Sequence, residues 1–458
     1  MSNGVSKNIT LVVTATAQFL LPFMLAAINV ALPSIGREFS LSAVMLGWVS
    51  TSFVLVAAAL LIPFGRLADI YGRRKIFILG LVVHIIASLT CSLSTSITML
   101  LAGRVLQGLS SAMVIGVTVA IITSVFPAEE RGRAIGLNVG AVYLGLTSGP
   151  FLGGVLTEQL GWRSIFFVAA GLGLVALLLG LTKLKGEWAD SRGEKYDLPG
   201  AVALVVSMEL LMYGFATLPE TSGFVLMALG LAGLVGFAWW EGRAPSPLMD
   251  VSLFRGNRIF VFSNLAALIN YSAVTSTGFL LSLYLQYLQG YDPQVTGLVL
   301  IVASVMMVIL APLAGRLSDR VDPRKVAAVG MGFSCVPLVM MTFLTEGTAI
   351  WYIIIVNFIT GIGVALFSSP NTTAIMGAVG RRFLGVASGT NATMRNTGMM
   401  FSMGVMMILF TLFMGDAQVT ADNHPAFLMS MRTGFVIFAG LCFLGIFAQL
   451  AGGKPQPR

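Results

Sequence analysis

"GRLADIYGRRK" spans Gly65–Lys75, and "GRLSDRVDPRK" spans Gly315–Lys325, 250 positions later. Each lies between two long apolar runs. Gly65, Arg66, Leu67, Asp69, Arg74 and Lys75 match Gly315, Arg316, Leu317, Asp319, Arg324 and Lys325. Basic loops are common where a chain leaves a membrane, but Gly, Leu and Asp in the same order point to a copied unit. The echo extends outward. "QGLSSAM" after Arg104 has a counterpart in "TGIGVAL", with Gly108 facing Gly361, and "AIGLN" (134–138) has one in "VASGTN" (386–391), with Asn138 facing Asn391. Two like units in one apolar chain, with a site between them, is a transporter design.

Composition agrees. The chain has 458 residues, 57% hydrophobic and 10% charged, where a soluble domain carries about 25% charged residues. Runs of some 20 apolar residues cross a ~30 Å hydrocarbon core. Fourteen are found, near 9–33, 44–64, 76–94, 98–126, 134–157, 164–182, 199–217, 222–240, 259–288, 295–314, 325–344, 348–368, 384–413 and 428–450. An even number puts both termini on one face. Of the 27 Lys and Arg, 22 fall on that face, Arg37, Arg163 and Arg432 on the other, and Arg104 and Arg395 inside spans. The positive-inside rule then makes the termini cytoplasmic in a multi-pass protein of the cell membrane. It also accounts for the net charge of +8 without nucleic acid. Cys91, Cys335 and Cys442 each sit in an apolar run, so neither a disulfide framework nor a redox role is expected. The run at 9–33 is followed by no small-residue cleavage site and reads as a span, not a signal peptide. The expected organisation is a six-helix bundle over 1–182, a charged linker with two inserted spans over 183–258, and a second six-helix bundle over 259–458.

These stretches resemble those of a known family. "GRLADIYGRR" fits the G-x-x-x-D-x-x-G-R-[RK] loop between the second and third helices of the major facilitator superfamily. "RVLQGLSSA" (104–112) resembles its fourth-helix R-x-x-Q-G motif, and "GLTSGPFLGG" (145–154) its fifth-helix antiporter motif, G-x-x-x-G-P-x-x-G-G. "NVALPSIGREF" (29–39), "YLQYLQGYDP" (284–293) and "PLMDVSLFRGNRIF" (247–260) are similar to segments of the fourteen-helix drug:proton antiporters. The resemblance covers nearly the whole chain. It implies an all-α polytopic membrane protein with the major facilitator fold, two six-helix bundles plus two inserted transmembrane helices. It implies a secondary active transporter that exports amphipathic drugs or metabolites in exchange for protons by alternating access. Its partners would be a small-molecule substrate, protons and the lipid bilayer; no nucleic acid, metal or cofactor is expected, and a monomer is.

The motifs suggest roles. Gly65 and Gly72 permit a tight turn in the first basic loop; by resemblance that loop is a cytoplasmic latch, with Asp69 pairing a nearby arginine or facing a helix N-terminus of the other half. Arg73 and Arg74 belong to it, or only mark topology. Asp319 is the second copy's acid, in a loop where Val321-Asp322-Pro323 replaces Tyr71-Gly72-Arg73. Arg104 lies within an apolar helix, where an arginine costs roughly 2.5–3.5 kcal/mol, so it should face a cavity and have a partner. The family links it to proton coupling; a structural arginine on backbone carbonyls is the other reading. Arg395 in "NATMRNTG" is a similar case. Gly145, Gly149 and Gly153, spaced by four, share a helix face that permits close approach. With Pro150, which bends a helix, and Gly154, they form a candidate hinge.

One expected group is absent. By resemblance the first helix carries an acid in D-x-T-I-V-N-V-A-L-P; aligned on Ala31-Leu32-Pro33, Met24 stands in its place and Asn29 survives. Among the 19 acids only Glu209 lies clearly inside a span, and His84 is the one histidine in one; with Asp69 and Arg104 they are the candidates for carrying the proton. A cavity lacking acids suits neutral, amphipathic or anionic solutes. Its candidate lining is Gln18, Phe23, Met24, Asn29, Gln107, Asn138, Tyr143, Asn270, Tyr271, Tyr284, Asn357 and Asn391, each of which could equally join helices. Two other classes stay open. A facilitator or importer of a small neutral or anionic metabolite would explain the missing acid. A non-transporting receptor or enzyme is disfavoured: no nucleophile–base arrangement, metal cluster or G-x-x-x-x-G-K-[ST] loop appears.

Overall fold

Hydrocarbon offers no partner to a backbone amide, so each apolar run closes its hydrogen bonds within a helix. The structure, a computed structural model, describes residues 7–248, 257–380, 384–415 and 417–451, without the side chains at 128, 129, 131–133, 216, 319 and 384–386. Among the described residues there is no strand, and fifteen α-helices follow one another: α1 (Lys7–Phe39), α2 (Ala43–Tyr71), α3 (Arg73–Ser92), α4 (Ile97–Val125), α5 (Ala128–Leu160), α6 (Arg163–Lys183), α7 (Leu198–Ala216), α8 (Thr221–Glu241), α9 (Arg258–Val274), α10 (Ser276–Leu283), α11 (Pro293–Arg320), α12 (Pro323–Met341), α13 (Ile350–Gly377), α14 (Leu384–Met414) and α15 (His424–Leu450). They make fourteen spans long and apolar enough to cross a membrane, the number expected.

Several helices outrun the apolar limits. α1 continues to Phe39 and α5 starts at Ala128, because hydropathy marks the hydrocarbon while the helix extends until a cap or turn stops it. Ser42, Ser96, Asp197, Asn257 and Asp292 accept backbone N–H groups at five N-termini. The ninth span is not one helix. It breaks at Thr275 between α9 and α10, where the Ser276 N–H donates to Ser402 Oγ of α14 (3.0 Å), and it ends in a π-turn at Tyr284–Leu288. The expected turn at 65–75 shrinks to one residue. Gly65 lies inside α2, close to the Gly116 carbonyl, and only Gly72 turns, at φ 122°.

The sequence echo is a packing echo. Gly108 of α4 lies on the Phe53 carbonyl of α2, and Gly361 of α13 on the Ala303 carbonyl of α11. Gly80 of α3 meets Met113 and Val114, and Gly330 of α12 meets Leu366 and Phe367. Gly145 of α5 lies on the Phe19 carbonyl of α1, and Gly398 of α14 on the Leu268 carbonyl of α9. Each contact recurs some 250 positions on, at places where only a residue without Cβ lets the helices approach. The arginines follow suit: Arg163 donates to the Ser94 carbonyl (2.7 Å) and Arg432 to the Leu344 carbonyl (2.8 Å). α1–α6 and α9–α15 are thus two bundles of one design. The inserted pair α7 and α8 packs together through Gly214, Gly223 and Gly230. α7 also reaches both bundles, Tyr213 against Trp48 (ring centroids 5.7 Å) and Phe215 against Phe401 (5.0 Å).

The bundles meet unevenly. At the face away from the termini, the distal face, Gly154 of α5 lies against the Pro293 carbonyl and Gly297 of α11 against the Pro150 carbonyl, while Gly47 of α2 meets Met407 of α14. Gln286 Nε2 donates to the Val30 carbonyl (2.8 Å), Tyr287 Oη to the Pro33 carbonyl (3.3 Å) and Gln418 Nε2 to the Ser40 carbonyl (2.9 Å). Toward the terminal face, a Cβ added at Gly136 or Gly140 of α5, or at Gly389 of α14, would meet nothing within 4 Å. The contacts of Gly154, Gly297, Gly47, Gln286, Tyr287 and Gln418 between the halves gather on the distal side.

Gly149→Leu should overpack α5 against Ala26 and the Phe23 carbonyl, 2.6 and 2.9 Å from an added Cβ, at a cost of about 1–3 kcal/mol. Thermal unfolding in detergent should show a clear loss for Gly149→Leu and little change for Gly140→Leu.

Candidate functional site

The first basic loop is held by the linker that follows α6. Asp69 Oδ1 accepts from Arg73 Nε (2.8 Å), four residues on, and Arg73 also reaches Asp190 (2.8 Å) and Ser124 Oγ (2.7 Å). Arg66 donates to Ser191 Oγ (3.0 Å) and pairs with Glu194. The Arg74 N–H donates to Glu187 (2.9 Å), the carboxylate that a Cβ at Gly72 would strike. Two backbone bonds, Arg73 N–H to Trp188 O and Ser191 N–H to Asp69 O, complete the clamp. Of the two partners expected for Asp69 it has the nearby arginine. In the second copy Asp322 pairs with Arg324 (2.7 Å), and that guanidinium holds the Asp322 carboxyl below the usual range. The Asp319 side chain lies outside the described residues.

Arg104 is fully buried rather than facing a cavity. Its Nε donates to the Val49 carbonyl of α2 (2.9 Å) and its Nη1 to Gln107 Oε1 (2.8 Å), whose amide donates to Ser88 Oγ (3.1 Å). The guanidinium lies 4.9 Å from the Phe53 ring centroid. This geometry joins α2, α3 and α4. His84 is buried between α3 and α6, against Gly173. Glu209 is half-buried on α7, outside both bundles.

The candidate hinge has two faces. Gly145, Gly149 and Gly153 pack on α1 within one bundle, at Phe19, Ala26 and Ala27, whereas Gly154 and Pro150 meet α11 across the halves. One turn further toward the termini, Thr147 Oγ1 donates to the Ser304 carbonyl (3.2 Å).

The next turn brings Tyr143 to the candidate lining. Its phenol interacts with Ser368 Oγ, Tyr271 and Arg395. The Tyr271 and Ser368 hydroxyls lie 3.2 Å apart, and Phe367 meets the Tyr271 ring edge-on. Asn391 Nδ2 is 3.5 Å from Thr372 Oγ1 on the same side. So α5 of one bundle faces α9, α13 and α14 of the other across a polar cluster. Tyr143 lies nine residues into the span Ala134–Leu160 and Arg395 eight into Ala387–Met414, about 12–14 Å deep at 1.5 Å per residue. Arg395 Nε is buried without a hydrogen-bond partner, and among the described residues no carboxylate forms an ion pair with Arg395.

The other candidates are not brought here. Phe23 and Met24 are buried in the core of α1, Phe23 stacked on Phe19. Gln18 is buried on the same helix. Asn29 accepts from Ser50 Oγ, joining α1 to α2. Asn138 and Asn357 are buried and donate to carbonyls of their own helices, Ala134 and Ile353. Asn270 is fully buried with neither amide atom bonded. Tyr284 sits at the distal end, donating to the Thr345 carbonyl (2.5 Å). Ser368 was not among the sequence candidates. The signal was there in the repeat, which sets Ser368 opposite Ile115.

Fourteen spans in two like bundles with a polar cluster between them are the architecture of a membrane transporter. The comparisons give the family: the chain matches the Major Facilitator Superfamily model over residues 14–262 and 263–457 and belongs to that superfamily. It is 28% identical over 443 residues to the riboflavin transporter RibZ of Clostridioides difficile, covering 96% of each chain. It is 33% identical to the multidrug resistance protein Stp of Mycobacterium tuberculosis, over 86% of this chain and 74% of that one, and 33% identical to the cephamycin export protein CmcT of Amycolatopsis lactamdurans, over 87% and 84%. A solved POT family transporter in complex with 5-aminolevulinic acid has the same fold, with TM-score 0.73 at 14% identity over 96% of this chain and 95% of that one.

Arg104→Ala should strand Gln107 and the Val49 carbonyl, costing about 1–3 kcal/mol, and lower the melting temperature and membrane yield. Asp190→Asn with Glu194→Gln should release the clamp without that loss, and trypsin should then cut the 184–197 segment several-fold faster than in wild type.

Proposed function

We propose that the protein is a secondary active exporter of amphipathic drugs or metabolites in the cytoplasmic membrane, working as a monomer in exchange for protons by alternating access. The bundles at 1–182 and 259–458 rock about their seam, and 183–258 supplies the linker and inserted helices. The observation that carries this reading is the polar cluster at Tyr143, Tyr271, Ser368 and Arg395, between halves whose glycine and glutamine contacts gather at the distal face. The bias of 22 of 27 basic residues supports cytoplasmic termini and, with the distal contacts, an inward-facing reading of the conformation. Relatives named for multidrug resistance and cephamycin export support export.

In this reading Gly65, Asp69, Gly72, Arg73, Arg74 and Asp319 form the cytoplasmic latch. The linker occupies its first copy while the cleft is open. Gly145, Gly149, Pro150, Gly153 and Gly154 form the hinge, and Arg104, Arg395 and Glu209 serve coupling, Arg104 through the helix packing it holds. One charge crossing 100 mV supplies ~2.3 kcal/mol, enough for roughly fifty-fold accumulation at ~1.4 kcal/mol per tenfold.

A second reading, facilitated passage of a small neutral or anionic metabolite, is favoured by one observation. Met24, where the resemblance expects an acid, is buried in the α1 core. Proteoliposomes with an imposed pH jump separate the two. Proton exchange predicts uphill substrate movement that collapses with the gradient and falls at least tenfold in Glu209→Gln or Asp69→Asn. Movement that only equilibrates, unchanged by the pH jump, would establish the facilitator instead.

A further inference from the structure

We infer that the cleft takes planar organic anions, and that Arg395 receives their negative charge. This rests on the transport reading above and names its substrate class. Three observations lead to it.

The first is the state of the guanidinium. The two arginines inside the spans are treated differently: Arg104 is fully buried, whereas Arg395 is only partly buried. Arg104 has a carbonyl, an amide and an aromatic ring around it, with Nη2 left without a hydrogen-bond partner. Arg395 has a buried Nε with no partner and no carboxylate in ion-pair range among the described residues. A charge within the membrane is stable when paired, so the missing partner is one that comes and goes.

The second is what surrounds it. Tyr143, Tyr271 and Ser368 present hydroxyls to the same place, and Asn391 lies one helical turn from Arg395 on α14. These hydroxyls can orient an anion's oxygens, and the two tyrosines, one from each bundle, supply aromatic rings beside them for a flat body. A guanidinium takes a carboxylate or similar anion in bidentate fashion.

The third is the absence of the opposite preference. Met24 is apolar where an acid was expected, and Glu209 sits on α7 outside both bundles. Nothing at the cluster neutralises a cationic drug. A cleft that closes empty must strip water from an unpaired guanidinium, whereas an occupied one closes over a neutral pair. Loaded return is therefore faster than empty return.

The test uses the purified full chain and two dyes sharing a three-ring core, anionic carboxyfluorescein and cationic rhodamine 6G. Binding is read by fluorescence polarisation in detergent and movement in proteoliposomes. Carboxyfluorescein should bind, with Kd at least tenfold weaker in Arg395→Gln, partly restored in Arg395→Lys and a few-fold weaker in Tyr143→Phe. Carboxyfluorescein loaded on the far side should speed its uptake. Should Arg395→Gln not fold, the Lys and Phe variants carry the same comparison. The inference is overturned if rhodamine 6G binds as well, if neither dye binds, or if the variants bind as wild type does. If carboxyfluorescein binds through Arg395 but never crosses, the anion site stands and the transport reading falls. If only rhodamine 6G crosses, transport stands and the anion site falls.

Discussion

Everything in this molecule depends on how closely two helices can approach where no side chain intervenes. At the distal seam Gly154 meets the Pro293 carbonyl and Gly297 meets the Pro150 carbonyl, a mutual insertion of glycine against the backbone beside a proline. Pro150, inside α5, leaves the carbonyl one turn before it without its helical N–H partner, whereas Pro293 opens α11, where no helical bond is lost. A contact made by backbone against a missing side chain has almost no interlocking volume. It can part and re-form with little rotamer rearrangement, which sets a rocking interface apart from an interdigitated core. Inside each bundle glycine does the opposite work. Gly145, Gly149 and Gly153 seat α5 on α1 along a whole face, which holds the bundle together as a unit.

The repeat makes the scaffold legible and hides the site. Of the residues that echo each other, Gly65 with Gly315 and Gly108 with Gly361 build the copied bundle, and the structure repeats their contacts as well as their order. The polar cluster departs from the echo. Ser368 stands where the first copy has Ile115, Arg395 where it has Val142, and Tyr271 where it has Pro22. A search for likeness passes over such positions, since a site that binds one solute between two similar halves has no need of two-fold symmetry. Tyr143, Tyr271, Asn391 and Arg395 were recognisable as polar groups in apolar runs. So were Asn138 and Asn357, which spend their amides on their own helices. Periodicity places a residue within a span but cannot say which face it turns to the neighbouring bundle, and that separates the two groups.

Hydropathy likewise finds fourteen spans while misjudging their ends and their continuity. Apolar content follows the hydrocarbon, whereas the helix stops where a side chain caps it or a glycine turns it. Gly72 alone converts what looks like an eleven-residue loop into a joint between two continuous helices. The break at Thr275 leaves no trace in hydropathy. It depends on Ser402, 127 positions away, whose hydroxyl accepts the Ser276 N–H. Such a bond belongs to the tertiary fold, and no local pattern announces it.

The two intramembrane arginines show how one residue type answers opposite demands. Burying a guanidinium without a partner is costly, and the cost is met either by permanent bonds or by a transient ligand. Arg104 takes the first course. Its carbonyl partner comes from α2, its amide partner from its own helix, and that amide is bonded in turn to α3. Three helices of one bundle are thereby tied. Arg395 stands beside a tyrosine of the opposite bundle, at the boundary that the proposed rocking would open. Permanent bonds there would span the moving gap and resist its opening. A charge at a moving boundary is better left for the cargo to complete, so that binding and closure favour each other.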